Sequence, residues 1–410
     1  MRNKLICGDN LEILATMEKE SVDLIYIDPP FFSNRNYEII WGDEAEIRSF
    51  EDRWEGGINV YIDWMKDRVM ELHRVLKPTG SFYLHCDWHA GHYLKVMCDE
   101  VFGCNNFRNE IVWCYSIGGK SKRTFARKHD TIFFYSKTDN YYFNPKGFTI
   151  PRKANTHMRV GINKDGREYQ EKTDSKTGKV YRYYLDEGKI PEDWWLIEQL
   201  NREDAERFGY PTQKPERLLE RIIKVSSNKG DIVLDAFCGC GTALAVAEKL
   251  CRNWIGIDIS PSAISLVKNR LSKIGVSEKD YDVIGMPLED EDVKKFKPFE
   301  FQYWVINELH GTPSDRKTGD MGIDGLSFLE HYPIQVKQSE NAGRNVIDNF
   351  ETALRRYYKH LTKGMKGYIV AFSFTKGAYE EVARVKKEGI EIELIKVQDI
   401  LDKKSVMKIK

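Results

Sequence analysis

Asp28, Pro29, Pro30 and Phe31 follow directly on the apolar run Leu24, Ile25, Tyr26 and Ile27. A short continuous apolar run suits a strand buried on both faces, and proline cannot donate to a ladder, so the strand must stop at Asp28. Proline also holds φ near about −65°. The loop is therefore stiff, and it lies at the carboxyl end of a strand, where open α/β sheets bind ligands. A carboxylate, a rigid carbonyl and an aromatic ring converge there. Together they suit a flat ring bearing an amino group: Phe31 stacks on it, while Asp28 and the Pro29 carbonyl accept its N–H hydrogens. The same residues also make a plain strand end with an Asp-Pro turn.

A second constellation is GDIVLDAFCGCGTALAVAEKL, residues 230–250. An apolar strand ends at Asp235, and Gly239 and Gly241 permit a tight turn and close backbone approach. A helix follows whose core face is Ala243, Val246, Ala247 and Leu250, at i, i+3, i+4 and i+7. A dinucleotide fingerprint would carry a third glycine, which is missing here. The next strand, NWIGID, ends in Asp258, about 20 residues on, where a carboxylate commonly takes ribose hydroxyls. The pattern suits a nucleoside without a pyrophosphate site, and in its plainer form is a tight strand-to-helix turn with an acidic strand end.

A third set lies near the C-terminus. Asp320 and Asp324 stand in a Gly-rich stretch before the strand-like YPIQVKQ, which carries Gln335 and Lys337 two positions apart and so on one face. Asp324 and the Gln335 side-chain oxygen could hold a hard cation through oxygen ligands. Lys337 beside them could position an attacking water or balance phosphoryl charge.

DPPF at 28–31, DAFCGCGT at 235–242 and PTQKP at 211–215 together resemble the S-adenosylmethionine-dependent DNA amino-methyltransferases, in the β arrangement where the catalytic motif precedes the cofactor motif. The resemblance spans about residues 1–290. It implies a cofactor site built from Asp235, Phe237, Gly239, Gly241, Thr242 and Asp258. It further implies that Lys214 lies near the methionine end of the cofactor and that Asp9 of CGDN faces its adenine. Asp28, Pro29, Pro30 and Phe31 become the catalytic motif. An exocyclic aromatic amine is a poor nucleophile. Accepting its hydrogens at Asp28 and at a proline carbonyl pushes it toward tetrahedral geometry as it attacks the methyl sulfonium. A base inside a duplex cannot reach such a pocket, so it must be flipped out, with Phe31 as its platform. Aspartate in the first position points to adenine N6, since the cytosine-N4 relatives more often carry serine. The cysteines of FCGCG depart from the small or polar residues commoner in that motif.

The C-terminal set is similar to the Mrr-like branch of the PD-(D/E)xK nucleases, in which glutamine replaces the usual second acid. This likeness covers roughly 295–410. It implies catalytic roles for Glu300, Asp324, Gln335 and Lys337, with Mg²⁺ held by Asp324 and Gln335. Glu300, in PFEFQYWVINEL, stands on a helix where those enzymes often carry an acid.

These residues need elements to position them. Strand-like VDLIYI, SFYLH, TIFFYS, DIVLDAF and NWIGIDI alternate with helical patterns at 216–227 and 242–250, the signature of βαβ units around a mainly parallel sheet. Residues 140–210 depart from this: they are rich in Tyr, Lys, Arg and Gly, with turn signals at NPKG, KDG and KTG. They read as an inserted target-recognition region. The loop at 118–130, with Lys120, Lys122, Arg123, Arg127 and Lys128, is a candidate phosphate contact. Near residue 290 the chain turns charged and poor in apolar residues before a fresh αβ pattern begins.

The expected fold is α/β. Residues 1–293 form a Rossmann-like methyltransferase sheet with the insert, and 294–410 a smaller C-terminal α/β restriction-endonuclease-like domain. The 63 basic and 63 acidic residues balance, so nucleic-acid affinity must come from local patches. The polar start MRNKLICGDN reads as no signal peptide, and no run approaches the ~20 apolar residues of a membrane span. A cytoplasmic protein without membrane association is expected. Eight cysteines, none in a CxxC pair, read as reduced thiols. His85, Cys86, Asp87, His89 and His92 imitate a metal cluster but follow an apolar run, and read instead as a strand end and helix start.

The resulting expectation is an adenine-N6 methyltransferase acting on double-stranded DNA with S-adenosylmethionine, joined to a Mg²⁺-dependent nuclease. A homodimer is a compatible assembly. The alternative is a solitary adenine-N6 or cytosine-N4 methyltransferase whose C-terminal domain only binds DNA. An RNA- or protein-directed methyltransferase suits the large basic and aromatic insert less well.

Overall fold

A computed structural model describes residues 2–32, 36–40, 46–51, 57–116, 122–153, 158–201, 203–204, 206–208, 213–287, 289–296, 298–309, 311–313, 322–327, 331–359 and 364–402. Lys120, Asp320 and the first two residues of PTQKP lie outside them, and the side chain of Glu300 is likewise outside the description.

The larger sheet has nine strands. In chain order they are β1 (Asn3–Cys7), β2 (Val22–Ile27), β3 (Leu76–Cys86), β4 (Phe107–Cys114), β5 (His129–Ser136), β6 (Trp194–Leu196), β7 (Ile232–Asp235), β8 (Asn253–Asp258) and β9 (Tyr281–Ile284). In space the order is β6-β4-β5-β3-β2-β7-β8-β1-β9. Only β5 runs against its neighbours; the other pairings are parallel. The apolar runs become strands because both faces of the sheet are covered. Leu24 and Tyr26 enter one core with Tyr83, Leu219, Ala243 and Trp254, whereas Ile25 and Ile27 enter another with Met65, Leu72 and Leu84. Alternate residues of one strand thus serve two cores, and no polar alternation is left to read.

Helices α1 (Asn10–Thr16), α2 (Ile58–Val75), α3 (Gly91–Phe102), α4 (Glu216–Ser226), α5 (Thr242–Lys249) and α6 (Pro261–Lys273) cover the sheet. In α4 the buried Leu218, Leu219, Ile222 and Ile223 form one apolar stripe, Pro215 stands at its start and Glu216 in its first turn favours the positive helix end. The strand end and helix start read into the His85–His92 stretch are there, as the end of β3 and the start of α3. The insert contains an antiparallel sheet of Arg159–Ile162, Glu168–Thr173 and Val180–Tyr184. Its last part then rejoins the main sheet as β6 beside β4, a return that the turn-rich composition around it concealed.

The C-terminal unit is a five-stranded sheet, β10 (Thr312–Pro313), β11 (Gly325–Leu326), β12 (Pro333–Lys337), β13 (Met365–Ala371) and β14 (Ile390–Lys396), in that spatial order. Helix α7 (Pro298–Glu308) covers one face, and α8 (Arg344–Tyr357) and α9 (Lys376–Lys387) the other. The units meet where Ser265 of α6 donates a hydrogen bond to Glu308 of α7 at 3.0 Å.

Candidate active sites

Strands β2, β7, β8 and β1 are adjacent and parallel, so their carboxyl ends align and place Asp28, Asp235, Asp258 and the Gly8–Asp9 turn around one cleft of about 230 Å³. This is the crevice at which open α/β sheets bind ligands. Pro29, Pro30, Phe31, Trp64, Arg68, Lys214, Phe237, Gly239, Thr242 and Ile259 also line it.

Asp28 sits just beyond β2. Its Oδ2 accepts a hydrogen bond from the ammonium of Lys214 at 2.5 Å. Its Oδ1 is buried with no hydrogen-bond partner among the described residues, and lies 3.7 Å from Nδ1 of His85. The loop is anchored by the Tyr61 hydroxyl, which donates to the Pro30 carbonyl at 2.6 Å. Phe31 packs against the His85 ring at 5.5 Å between centroids, with the Lys214 ammonium 5.2 Å from its own ring centre. Lys214 therefore reaches the DPPF motif itself, a contact that its place in the sequence motif did not reveal.

The Gly-rich turn is held by its own carboxylates. Asp258 accepts from the backbone N–H of Gly239 at 2.8 Å and of Ser260 at 2.9 Å, and Asp235 from that of Phe237 at 3.1 Å. Burial raises the Asp258 carboxyl to about 6 against those two donors. Burial pushes Asp235 well above the carboxylate range, the Phe237 N–H opposes it, and the neighbouring Asp28 and Asp258 add to it. Gly241 serves packing: at φ +74° it starts α5, and a Cβ there would lie 2.9 Å from the methyls of Val267. Packing against α6 thus already requires glycine at this position.

Asp9 caps α1 through the Leu11 N–H at 2.8 Å and pairs with Arg68 at 2.9 Å. Arg68 lies over the Trp64 ring at 3.8 Å, and its Nε donates to Asn10, which in turn donates to the Ala236 carbonyl. This network ties α1 and α2 to the strand end of β7.

In the smaller unit, Oδ2 of Asp324 accepts the Val336 N–H at 2.7 Å, which fixes the acid against β12. Gln335 is buried; its Nε2 donates to the Gly322 carbonyl at 2.9 Å and its Oε1 has no hydrogen-bond partner among the described residues. Gln302 of α7 donates to the Asp324 carbonyl at 3.4 Å, so the helix carrying Glu300 borders the acid. Lys337 ends β12, two positions beyond Gln335.

Residues 22–269 match the family model described as DNA methylase, and residues 293–403 the one described as restriction endonuclease. The chain belongs to the DNA methylase family. It carries a restriction endonuclease-like domain behind the methylase. The Type II methyltransferase M.HpaI of Haemophilus parainfluenzae is 29% identical over 89% of this chain and 96% of its own. The DNA adenine methyltransferase YhdJ of Escherichia coli (strain K12) is 31% identical, over 65% of this chain and 82% of its own. The solved PvuII DNA methyltransferase, cytosine-N4-specific, aligns over 69% of this chain and 94% of its own, with 18% identity and a TM-score of 0.46.

Two residues of this methylase, Arg68 and Asp130, escaped sequence reasoning, and His85 was weighed only within a metal-like stretch, although each left a trace. Arg68 is a charge inside the apolar stripe Tyr61, Met65, Val69, Leu72 and Val75 of α2. His85 is a titratable group in the buried half of β3, and Asp130 is a buried acid near the start of β5, two residues before Ile132, the partner of His85 in the ladder. A charged or titratable residue in an otherwise apolar pattern needs a partner, and these have one.

Proposed function

We propose that the chain is a single-polypeptide restriction-modification enzyme. It methylates N6 of adenine in double-stranded DNA with S-adenosylmethionine, and its C-terminal domain hydrolyses DNA with Mg²⁺. The observation that carries the first half is the unpartnered, buried Oδ1 of Asp28 beside the Oδ2 held by Lys214. Leaving a buried acceptor unmet costs about 1–3 kcal/mol, more for a charged one. The hydrogens of an exocyclic amine would meet it.

The residues around the cleft fit the cofactor. Asp9 and Asp258 offer acceptors, and Phe237 with the exposed Ile259 offers apolar surface, which is what a nucleoside requires. Bound there, S-adenosylmethionine supplies an electrophilic methyl group on a sulfonium. Asp28 and the Pro29 carbonyl orient the amine by accepting its hydrogens, Phe31 stacks on the flipped base, and Lys214 fixes the carboxylate. Aspartate at the head of DPPF supports adenine, as does the 31% identity to a relative named as an adenine methyltransferase.

For the nuclease, the buried Gln335 Oε1 without a partner and the neighbouring Asp324 form an oxygen donor set of the kind a hard cation takes. Mg²⁺ bound there would neutralise phosphoryl charge, and Lys337 would orient a water. DNA as substrate implies action in the cytoplasm.

The deciding experiment incubates the protein with labelled cofactor and duplex DNA, then digests the product to nucleosides. Label in N6-methyladenine is expected, and label only in N4-methylcytosine would overturn the adenine assignment. Unmethylated plasmid with Mg²⁺ tests the second half. No cleavage with Mg²⁺ or Mn²⁺ would leave the C-terminal domain a DNA-binding appendage.

A further inference from the structure

A chain of polar groups leads inward from Asp28. The imidazole of His85 is fully buried, with Nδ1 at 3.7 Å from Oδ1 of Asp28 and 2.9 Å from the Tyr26 hydroxyl. Its Nε2 lies 3.3 Å from Oδ2 of Asp130, whose Oδ1 accepts the Tyr115 hydroxyl at 3.1 Å. Trp113 closes over the ring at 5.4 Å and Phe31, the platform for the base, packs on it at 5.5 Å.

Such a set fixes the protonation pattern. Facing a carboxylate, Nε2 carries the hydrogen of the neutral ring, which leaves Nδ1 as an acceptor. Burial pushes the Tyr26 phenol well above its ordinary range, with Asp28 adding to it, so the hydroxyl stays a donor to Nδ1. Burial opposes charge at Asp130, yet the hydrogen bond from His85, with the Lys214 ammonium beyond and the Tyr115 hydroxyl, holds its carboxyl below the ordinary range. An acceptor nitrogen therefore lies behind the carboxylate oxygen that lacks a partner, and an ionised acid lies behind the nitrogen.

We propose that His85, oriented by Tyr26 and Asp130, is a positioning residue that takes up, through Asp28, the proton shed by the amine during methyl transfer. This rests on Asp28 being the acceptor of the target amine. The amine lone pair forms the nitrogen–carbon bond as the methyl–sulfur bond breaks and its electron pair goes to sulfur. The nitrogen, now positively charged, gives a proton to Oδ1 of Asp28, and Asp28 passes it to Nδ1 of His85. The separation of 3.7 Å exceeds a hydrogen bond, so the protonated carboxyl must turn toward the ring to do so. Nδ1–H then donates to the Tyr26 oxygen, whose hydroxyl rotates from donor to acceptor, and the imidazolium is balanced by Asp130 through Nε2. The proton returns by way of Asp28 to solvent when the methylated base leaves.

The titratable groups around the ring are Tyr26 and Asp28 from β2 and its loop, Asp130 from β5 and, through it, Tyr115. Lys214, Asp87 and Asp235 are the next charges out.

The test is single-turnover methylation by the full chain, saturated with S-adenosylmethionine, as a function of pH. A ring that must take up the proton cannot do so once protonated, so wild type is expected to lose rate toward acid pH. His85→Asn keeps a polar group near Nδ1 but cannot take up a proton. It should slow the transfer step by about 10- to 100-fold, no more than general-base effects allow, flatten the acid limb and leave KM for cofactor and DNA near normal. A wild-type rate in His85→Asn, or a slowed rate with the acid limb intact, overturns the proposal. If His85→Asn no longer binds cofactor, Tyr26→Phe and Asp130→Asn decide: an unchanged rate and pH profile in both refutes it. Asp28→Ala is measured alongside. If that variant stays active, the fault lies in the assignment of Asp28 and not in that of His85.

Discussion

The ammonium of Lys214 and the carboxylate of Asp28 are 186 positions apart in the chain and 2.5 Å apart in space. Lys214 has little exposure, and it stands among Asp28, Asp235 and Asp258. Its removal would leave the Asp28 carboxylate without its cation, close to the buried Asp235 and Asp258. We therefore expect Lys214→Ala to destabilise the protein by about 1–3 kcal/mol and to slow methyl transfer. Asp28→Ala should lose at least ~10²-fold in rate while cofactor affinity stays near normal. Thermal melts and single-turnover rates check both. Equal loss of affinity in Asp28→Ala would put Asp28 in the cofactor site instead.

The pH response of Asp258 follows from its position. Its native value of about 6 lies above the usual unfolded value near 3.9, so between the two the native state holds a proton that the unfolded chain has lost. Stability of the cofactor-free protein therefore falls as pH rises across that window. Cofactor affinity runs the other way: hydrogen bonds from ribose hydroxyls favour the carboxylate, so binding should weaken as pH drops through about 6 and should release a proton. Calorimetry on either side of that value, in buffers of different ionisation heat, measures this. An identical dependence in Asp258→Ala would remove Asp258 from the cofactor site.

Gly241 makes a contrasting case. Its φ of +74° and the 2.9 Å approach to Val267 mean that Gly241→Ala should cost about 1–3 kcal/mol even without cofactor. Val267→Ala in the same chain should recover the steric part and not the backbone part. If melting is unchanged while cofactor binding is lost, Gly241 faces the ligand after all.

In the restriction endonuclease-like domain, Gln335→Ala should abolish the proposed cleavage and Gln335→Glu should retain it, because the position requires an oxygen and the second carboxylate adds charge toward a cation. Lys337→Ala should also abolish cutting. Asp324→Ala should do so and in addition destabilise the domain, since it strands the Val336 N–H. Methylation should persist in all four, without Mg²⁺. Cleavage that survives Lys337→Ala would locate the site elsewhere.

The sequence displayed what depends on neighbours along the chain. Apolar runs closed by Asp28, Asp235 and Asp258 marked strand ends, and strands of one direction bring such ends together, so a shared cleft followed from the pattern. Pairings across the chain were hidden. Nothing near Lys214 indicates that its partner is Asp28, nor does anything near Gly241 show that Val267 fills the space above it. Arg68 was overlooked, and His85 read only as a strand end, for a related reason: each lies in an apolar pattern whose regularity drew attention to the hydrophobic residues around it.

The position of β2 has a consequence for how the molecule is made. One flank pairs with β3, but the other pairs with β7, and Asp23 accepts the N–H of Ile232 across 209 positions. A ribosome completes β2 long before β7, and until then that edge of the strand offers unpaired N–H and C=O groups to whatever is near. Contacts of such long sequence separation close slowly, so pulse-labelled hydrogen exchange on refolding should find Leu24 and Ile25 protected late; early protection would argue otherwise. The aspartate that synthesis delivers among the first residues is thus among the last to reach its working surroundings, and the nascent enzyme cannot modify DNA until most of its length has been translated.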